Sequence, residues 1–115
     1  MRYVMFICDD QIPVDVDLSE PTEAWVAEMD GRGVRLTGDR LRPVADTTTV
    51  RVRGGEVLVT DGPFAEGTEV IGGFDLLECA DLDEALEVAA KHPAAAYGGI
   101  ELRPVWVWMQ SEIGA

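Results

Sequence analysis

Two segments with helical signals, one opening at Ser19 and one at Asp81, interrupt a chain that otherwise reads as strands, and that order leaves few architectures open. Met1 to Cys8 is an almost unbroken apolar run containing Val4, Met5, Phe6 and Ile7. Such a run is expected of a strand covered on both faces, and so of a central one. Ser19, with Pro21 in the first turn, marks the first helix start. Trp25, Val26 and Met29 then fall at helical spacing, and Gly31 and Gly33 stop the helix. Asp81 with Glu84 has the form of a capping box for the second helix. Leu82, Ala85, Leu86 and Ala89 form its apolar stripe, Lys91 and His92 suit its C-terminal dipole, and Pro93 ends it.

Between the helices, Val34 to Pro43 reads as a short strand and loop. Thr47 to Arg53 and Glu56 to Thr60 flank Gly54-Gly55, a pair that tolerates the positive φ angles of a two-residue hairpin turn. That turn sets Val52 against Val57 and Val50 against Val59, with Arg53 beside Glu56. Val70 to Cys79 returns as a strand through Phe74, Leu76 and Leu77, and Gly72-Gly73 marks a bulge or a close backbone approach. Ile100 to Trp108 alternates as a last strand in which Pro104 needs an edge or bulge position. The order predicts one domain over residues 1–115, an α+β ferredoxin-like sandwich with an added β-hairpin.

Charge removes several function classes. Twenty-two acidic side chains against nine basic ones give −13, which opposes binding to nucleic acid or to anionic membrane. No apolar run reaches the length of a membrane span, and the start lacks a secretory pattern, so a cytoplasmic location is expected. Cys8 and Cys79 lie in apolar segments, and one histidine is too few for a Cys/His zinc site. With no phosphate-cradling glycine loop, nucleophile elbow or dinucleotide fingerprint, neither cofactor nor metal is expected.

Candidate chemistry gathers around Asp61-Gly62-Pro63-Phe64, followed by Ala65-Glu66-Gly67-Thr68-Glu69 and Gly72-Gly73-Phe74. Proline fixes its own φ and pushes Gly62 toward extended geometry, so the tetrapeptide should form a stiff corner. Asp61, Glu66 and Glu69 are close enough for repulsion and burial to raise one pKa into acid/base range. The alternative is that Asp61 accepts a bond within its own turn and the glutamates are solvated. His92 is either the acid/base histidine of any mechanism that needs one or a dipole-complementing surface residue. Arg103 shares a side of its strand with Glu101 and serves an anionic ligand or an ion pair. Trp106 and Trp108 share a face and suit core or dimer packing, or an aromatic platform.

The corner and its flanks resemble the signature of the YCII-related family, in its DGPF-domain branch, where the pattern runs close to DGPFAETKE-x-x-GG-aromatic. Gly67 and Thr68 stand where that pattern has Thr and Lys, and Glu101-Leu102-Arg103-Pro104 looks like its E-x-R-P ending. The resemblance implies a ferredoxin-like fold paired into a homodimeric α+β barrel, with a small-molecule cleft near Asp61 to Phe74. Gly62, Pro63, Phe64, Gly73, Phe74 and Arg103 are the candidate ligand-binding residues. Asp61, Glu69 and His92 are the candidate catalytic ones. A binding or accessory module is implied, with transcription-associated sigma factors among the partners of such domains. The alternative is a cofactor-free lyase, isomerase or hydrolase acting on a small metabolite, with Asp61 as general base.

Overall fold

The computed structural model describes residues 1–62 and 70–106. Its strands are β1 (Arg2–Cys8), β2 (Arg35–Arg40), β3 (Thr48–Arg53), β4 (Glu56–Asp61), β5 (Ile71–Glu78) and β6 (Ile100–Pro104), with helices α1 (Ser19–Gly31) and α2 (Leu82–Ala90). Four strands form an antiparallel sheet in the order β2-β5-β1-β6, and β3 and β4 form a separate ribbon. This is the ferredoxin-like α+β sandwich with a hairpin inserted between its second and third strands. Among the described residues no helix is long and apolar enough to cross a membrane.

The apolar opening strand is central, as its composition requires. Its odd positions bury against the helices: Tyr3 lies opposite Leu77 and Met5 opposite Leu102, and all but Leu102 are at most 2 % exposed. Val4 and Phe6 alternate to the other face and are only half-buried, so the expectation of a strand buried on both faces holds for one face alone. Pro104, which has no N–H for a ladder, sits on edge strand β6 opposite Tyr3.

The capping box forms with a shift of one residue. The Glu84 N–H donates to Asp81 Oδ1 at 2.9 Å, and the Glu84 carboxylate accepts from the N–H of Ala80 rather than of Asp81. The apolar stripe of α2 is corrected by the structure. Ala85, Val88 and Ala89 are buried, while Leu82 and Leu86 are each 51 % exposed. The small alanines let α2 lie close to the sheet, and the larger leucines are turned outward.

In the hairpin, Gly54 and Gly55 take φ of 58° and 80°, the left-handed region of a primed turn. The register is as the sequence predicts: Val52 opposite Val57, Val50 opposite Val59 and Arg53 opposite Glu56. At the far end the corner turns on Gly62 with φ 101°, which corrects the extended geometry expected there. Gly62 donates its N–H to Thr47 O at 2.8 Å, and its carbonyl accepts from Thr49 Oγ1 at 2.6 Å.

One close approach decides how β2 meets β5. Gly38 pairs with Asp75, and a Cβ at Gly38 would collide with the Asp75 carboxylate and stand 2.6 Å from the Phe74 carbonyl oxygen. Backbone cannot retreat as a side-chain end can. Gly38→Ala is therefore expected to destabilise the fold by about 2 kcal/mol, the usual scale for overpacking. A urea denaturation midpoint equal to that of the parent chain would show that β2 and β5 are not in this contact.

Candidate functional site

A cavity of about 620 Å³ opens between α1, the 9–18 connector and the helix-facing side of the sheet. Its walls are largely apolar, with Ile7, Ile12, Val26 and Ala94 among them, and Trp25 lies at its inner end. Of the polar side chains that line it, Asp75 and His92 are buried and Arg35 lies against Asp75, whereas Asp17, Ser19, Glu23, Asp39 and Arg40 are exposed. A pocket of this size, apolar with a few placed polar groups, has the character of a small-molecule site.

Asp75 is 5 % exposed on the helix-facing side of β5. Arg35 reaches it from β2, its Nε 2.7 Å from Asp75 Oδ1. The same guanidinium donates to the Gly38 carbonyl at 2.9 Å and to Asp30 Oδ1 at 3.1 Å, fixing its plane on three acceptors. A bulge in β2 between Arg35 and Thr37 makes this possible. Strict alternation would put Arg35 and Gly38 on opposite faces; the extra residue brings both to the cavity side. Burial raises the Asp75 carboxyl above its ordinary pKa, and the hydrogen bond and charge of Arg35 pull the other way without cancelling it.

His92 is 5 % exposed, which corrects the surface position allowed for it by sequence. It stands between α2 and a short 3-10 turn, its ring 4.8 Å from that of Trp25 in an edge-on arrangement. Trp25 is itself held by the bond from its Nε1–H to Val88 O at 3.0 Å. The Ala94 N–H donates to His92 Nδ1 at 3.0 Å. With Nδ1 acting as acceptor, the proton of the neutral ring sits on Nε2. Burial pushes the imidazole pKa down to about 4, so the ring is neutral at physiological pH.

The sequence-derived residues divide by position. Gly73, Phe74 and His92 line the cavity. Asp61 is exposed at the end of β4 and, like Gly62, is not part of the cavity wall. Arg103 is exposed and faces Val4 on the opposite side of the sheet. Pro63, Phe64, Glu66, Glu69 and Trp108 lie outside the described residues, and Trp106 is 67 % exposed. Asp75 and Arg35 were not singled out from sequence. The available signal was Asp75 itself, a charged residue inside an apolar strand at the same parity as Leu77. Among the described residues, no three His, Cys, Asp or Glu side chains are grouped to hold a metal ion.

Comparison with known proteins identifies the architecture. The family model for the YCII-related domain matches residues 1–109. The chain belongs to the YCII-related family. Within reach of that family, an uncharacterized protein of Rhizobium meliloti (strain 1021) is 38 % identical over 109 residues, covering 80 % of this chain and 88 % of its own. Among solved structures, the chain is similar to 5-chloro-2-hydroxyhydroquinone dehydrochlorinase (TftG) from Burkholderia phenoliruptrix AC1100, in complex with 2,5-dihydroxybenzoquinone. The TM-score is 0.53 at 13 % identity, over 92 % of this chain and 94 % of that one. At that identity the likeness establishes the shared fold.

As the single histidine of this YCII-related chain, His92 provides one clean titration. Its folded pKa lies below the 6.5 of a free imidazole, so its contribution to stability is full above 6.5 and is lost as the pH falls through about 4. The span corresponds to about 3 kcal/mol. Asp75 acts in the opposite sense: its contribution is full below 3.8 and fades as the pH rises through its raised value. Proton NMR should show the imidazole neutral down to about pH 4. In His92→Phe, the loss of stability between pH 6.5 and 4 should be correspondingly smaller than in the parent chain. An imidazole titrating near 6.5 would refute the buried placement.

Proposed function

We propose that this YCII-related domain binds a small oxygenated ring compound in the cavity between α1 and the sheet and carries out proton transfer on it, as a lyase or isomerase. The observation that carries the reading is a buried carboxylate and a buried neutral imidazole on the wall of one apolar cavity. A carboxylate whose pKa is raised by burial is a stronger base than one in water. Asp75 is accordingly assigned the proton abstraction, from an O–H or an activated C–H of the ring.

Arg35 holds the Asp75 carboxylate in place and balances its charge, leaving the second carboxylate oxygen for substrate. His92 donates through Nε2–H to the oxygen on which negative charge grows, as a neutral imidazole does where an imidazolium would hand over its proton too early. In an elimination, the electron pair released by deprotonation expels the leaving group on a neighbouring carbon; in an isomerisation, the proton returns at a second carbon. The dihydroxybenzoquinone bound by the structural neighbour supports the choice of ligand class, since a flat oxygenated ring suits apolar walls with few polar contacts. This reading moves the general base from Asp61 to Asp75.

The test uses 2,5-dihydroxybenzoquinone as the binding probe and chloride release from 5-chloro-2-hydroxyhydroquinone as the turnover assay. At 100 times its dissociation constant the probe should stabilise the fold by about 2.7 kcal/mol. Asp75→Asn should bind the probe yet lose turnover by about 100-fold or more, while Asp61→Asn leaves both unchanged. No binding of the probe would overturn the ligand class. Full turnover by Asp75→Asn, or its loss in Asp61→Asn, would return the chemistry to the corner.

A further inference from the structure

We infer that Asp9 is a specificity-determining residue of the cavity: its carboxylate accepts a hydrogen bond from a hydroxyl at the end of the ring remote from Asp75, so the ligand carries a hydroxyl at both ends. The inference rests on the reading of the cavity as a ring site. β1 ends at Cys8, and Asp9 is held by its backbone on both sides. Its N–H donates to Val70 O at 3.1 Å, and its carbonyl accepts from the Ile12 N–H at 3.1 Å. The neighbouring aspartate is turned elsewhere: Asp10 accepts from Gln11 Nε2 at 3.2 Å and lines a separate recess beside Gly98 and Glu101. Asp9 is half-buried on the cavity wall, and its carboxylate has no hydrogen-bond or ion-pair partner among the described residues.

The sheet makes room for that carboxylate. Ile7 lies opposite Gly73 and Cys8 opposite Ile71, which leaves Gly72 unopposed on β1 as the bulge of this ladder. A Cβ at Gly72 would fall on the Asp9 carboxyl group, and the nearest atoms it would meet all belong to that side chain. Any residue but glycine would thus displace Asp9 from the wall. From Gly72 to Asp75 along β5 is about 10 Å of extended strand. An aromatic ring with oxygens on two opposite carbons, and a hydrogen bond of about 2.7 Å beyond each oxygen, has that length. Carboxylates accept and do not donate, so both ends of such a ring must present O–H groups. Asp75 takes the proton at one end and Asp9 holds the hydroxyl at the other, which fixes the ring lengthwise between them.

Titration calorimetry with two uncharged phenols tests the assignment. Hydroquinone has a hydroxyl at each end, para-methoxyphenol at one end only. The parent chain should bind hydroquinone about 10-fold more tightly, the scale of one hydrogen bond to a charged group. Asp9→Leu should bind the two phenols equally. Gly72→Ala should do the same with the aspartate still present, since the added methyl group displaces only the Asp9 side chain. The comparison in the parent chain stands by itself should either variant not fold. Equal binding of the two phenols by the parent chain, or a preference that survives in either variant, would overturn the role of Asp9 and leave the ring site standing. Failure of the parent chain to bind either phenol would overturn the ring site and this role with it.

Discussion

The ion pair between Arg35 and Asp75 ties two strands and a helix to one buried point. Its carboxylate belongs to β5, its guanidinium to edge strand β2, and the same guanidinium reaches the last turn of α1 through Asp30. Remove either partner and a charge is left in the space between sheet and helix, the situation that costs most in a protein interior. The bulge in β2 and the missing side chain at Gly38 both serve this one contact: the first swings Arg35 to the cavity side, the second leaves room for the carboxylate.

From that seat the cavity follows. On the sheet, Gly73 pairs with Ile7, and a Cβ there would stand 3.2 Å from the Asp39 carbonyl oxygen and 3.4 Å from Ile7 Cδ1, so the strands meet closely along this wall. On the helix side, Trp25 is pinned by Val88 and stacks edge-on with His92, so the inner end of the cavity is rigid. Ion pairs of Arg32 with Glu87 and of Lys91 with Glu28 join α1 to α2 at the surface, where screening makes them weak individually. Rigidity of the site thus comes from buried aromatic packing and the Arg35 fork, with the surface charges adding little.

Much of this fold was legible in the residues, and most of the site was not. Element order, the hairpin register and the second helix cap follow from local rules: period, turn chemistry and side chains that meet within four residues. Leu82 and Leu86 misled because a helix stripe is judged by size, whereas close approach to a sheet favours Ala85 and Ala89. The site depends on contacts across the whole chain. His92 is buried because Trp25, 67 positions earlier in the numbering, packs on it, and nothing near Pro93 announces this. Arg35 was obscured by the bulge, which breaks the period-two alternation on which strand faces are assigned. The glycine-proline motif drew attention to Asp61, yet that carboxylate stands at the end of an exposed ribbon, beside a Gly62 bonded to Thr47 and Thr49.

A buried ion pair contributes little net stability, because desolvation of the two charges offsets most of their attraction. Well-packed apolar residues of similar volume would fill the same space between β2, β5 and α1 without the glycine or the bulge. What apolar residues cannot supply is a carboxylate with raised proton affinity on a cavity wall, steadied on one oxygen by arginine and accompanied by an imidazole that stays neutral. The features that complicate this sheet are therefore better accounted for by the cavity they line than by the stability they add. Asp61, by contrast, lies exposed at the end of β4 and away from that cavity wall.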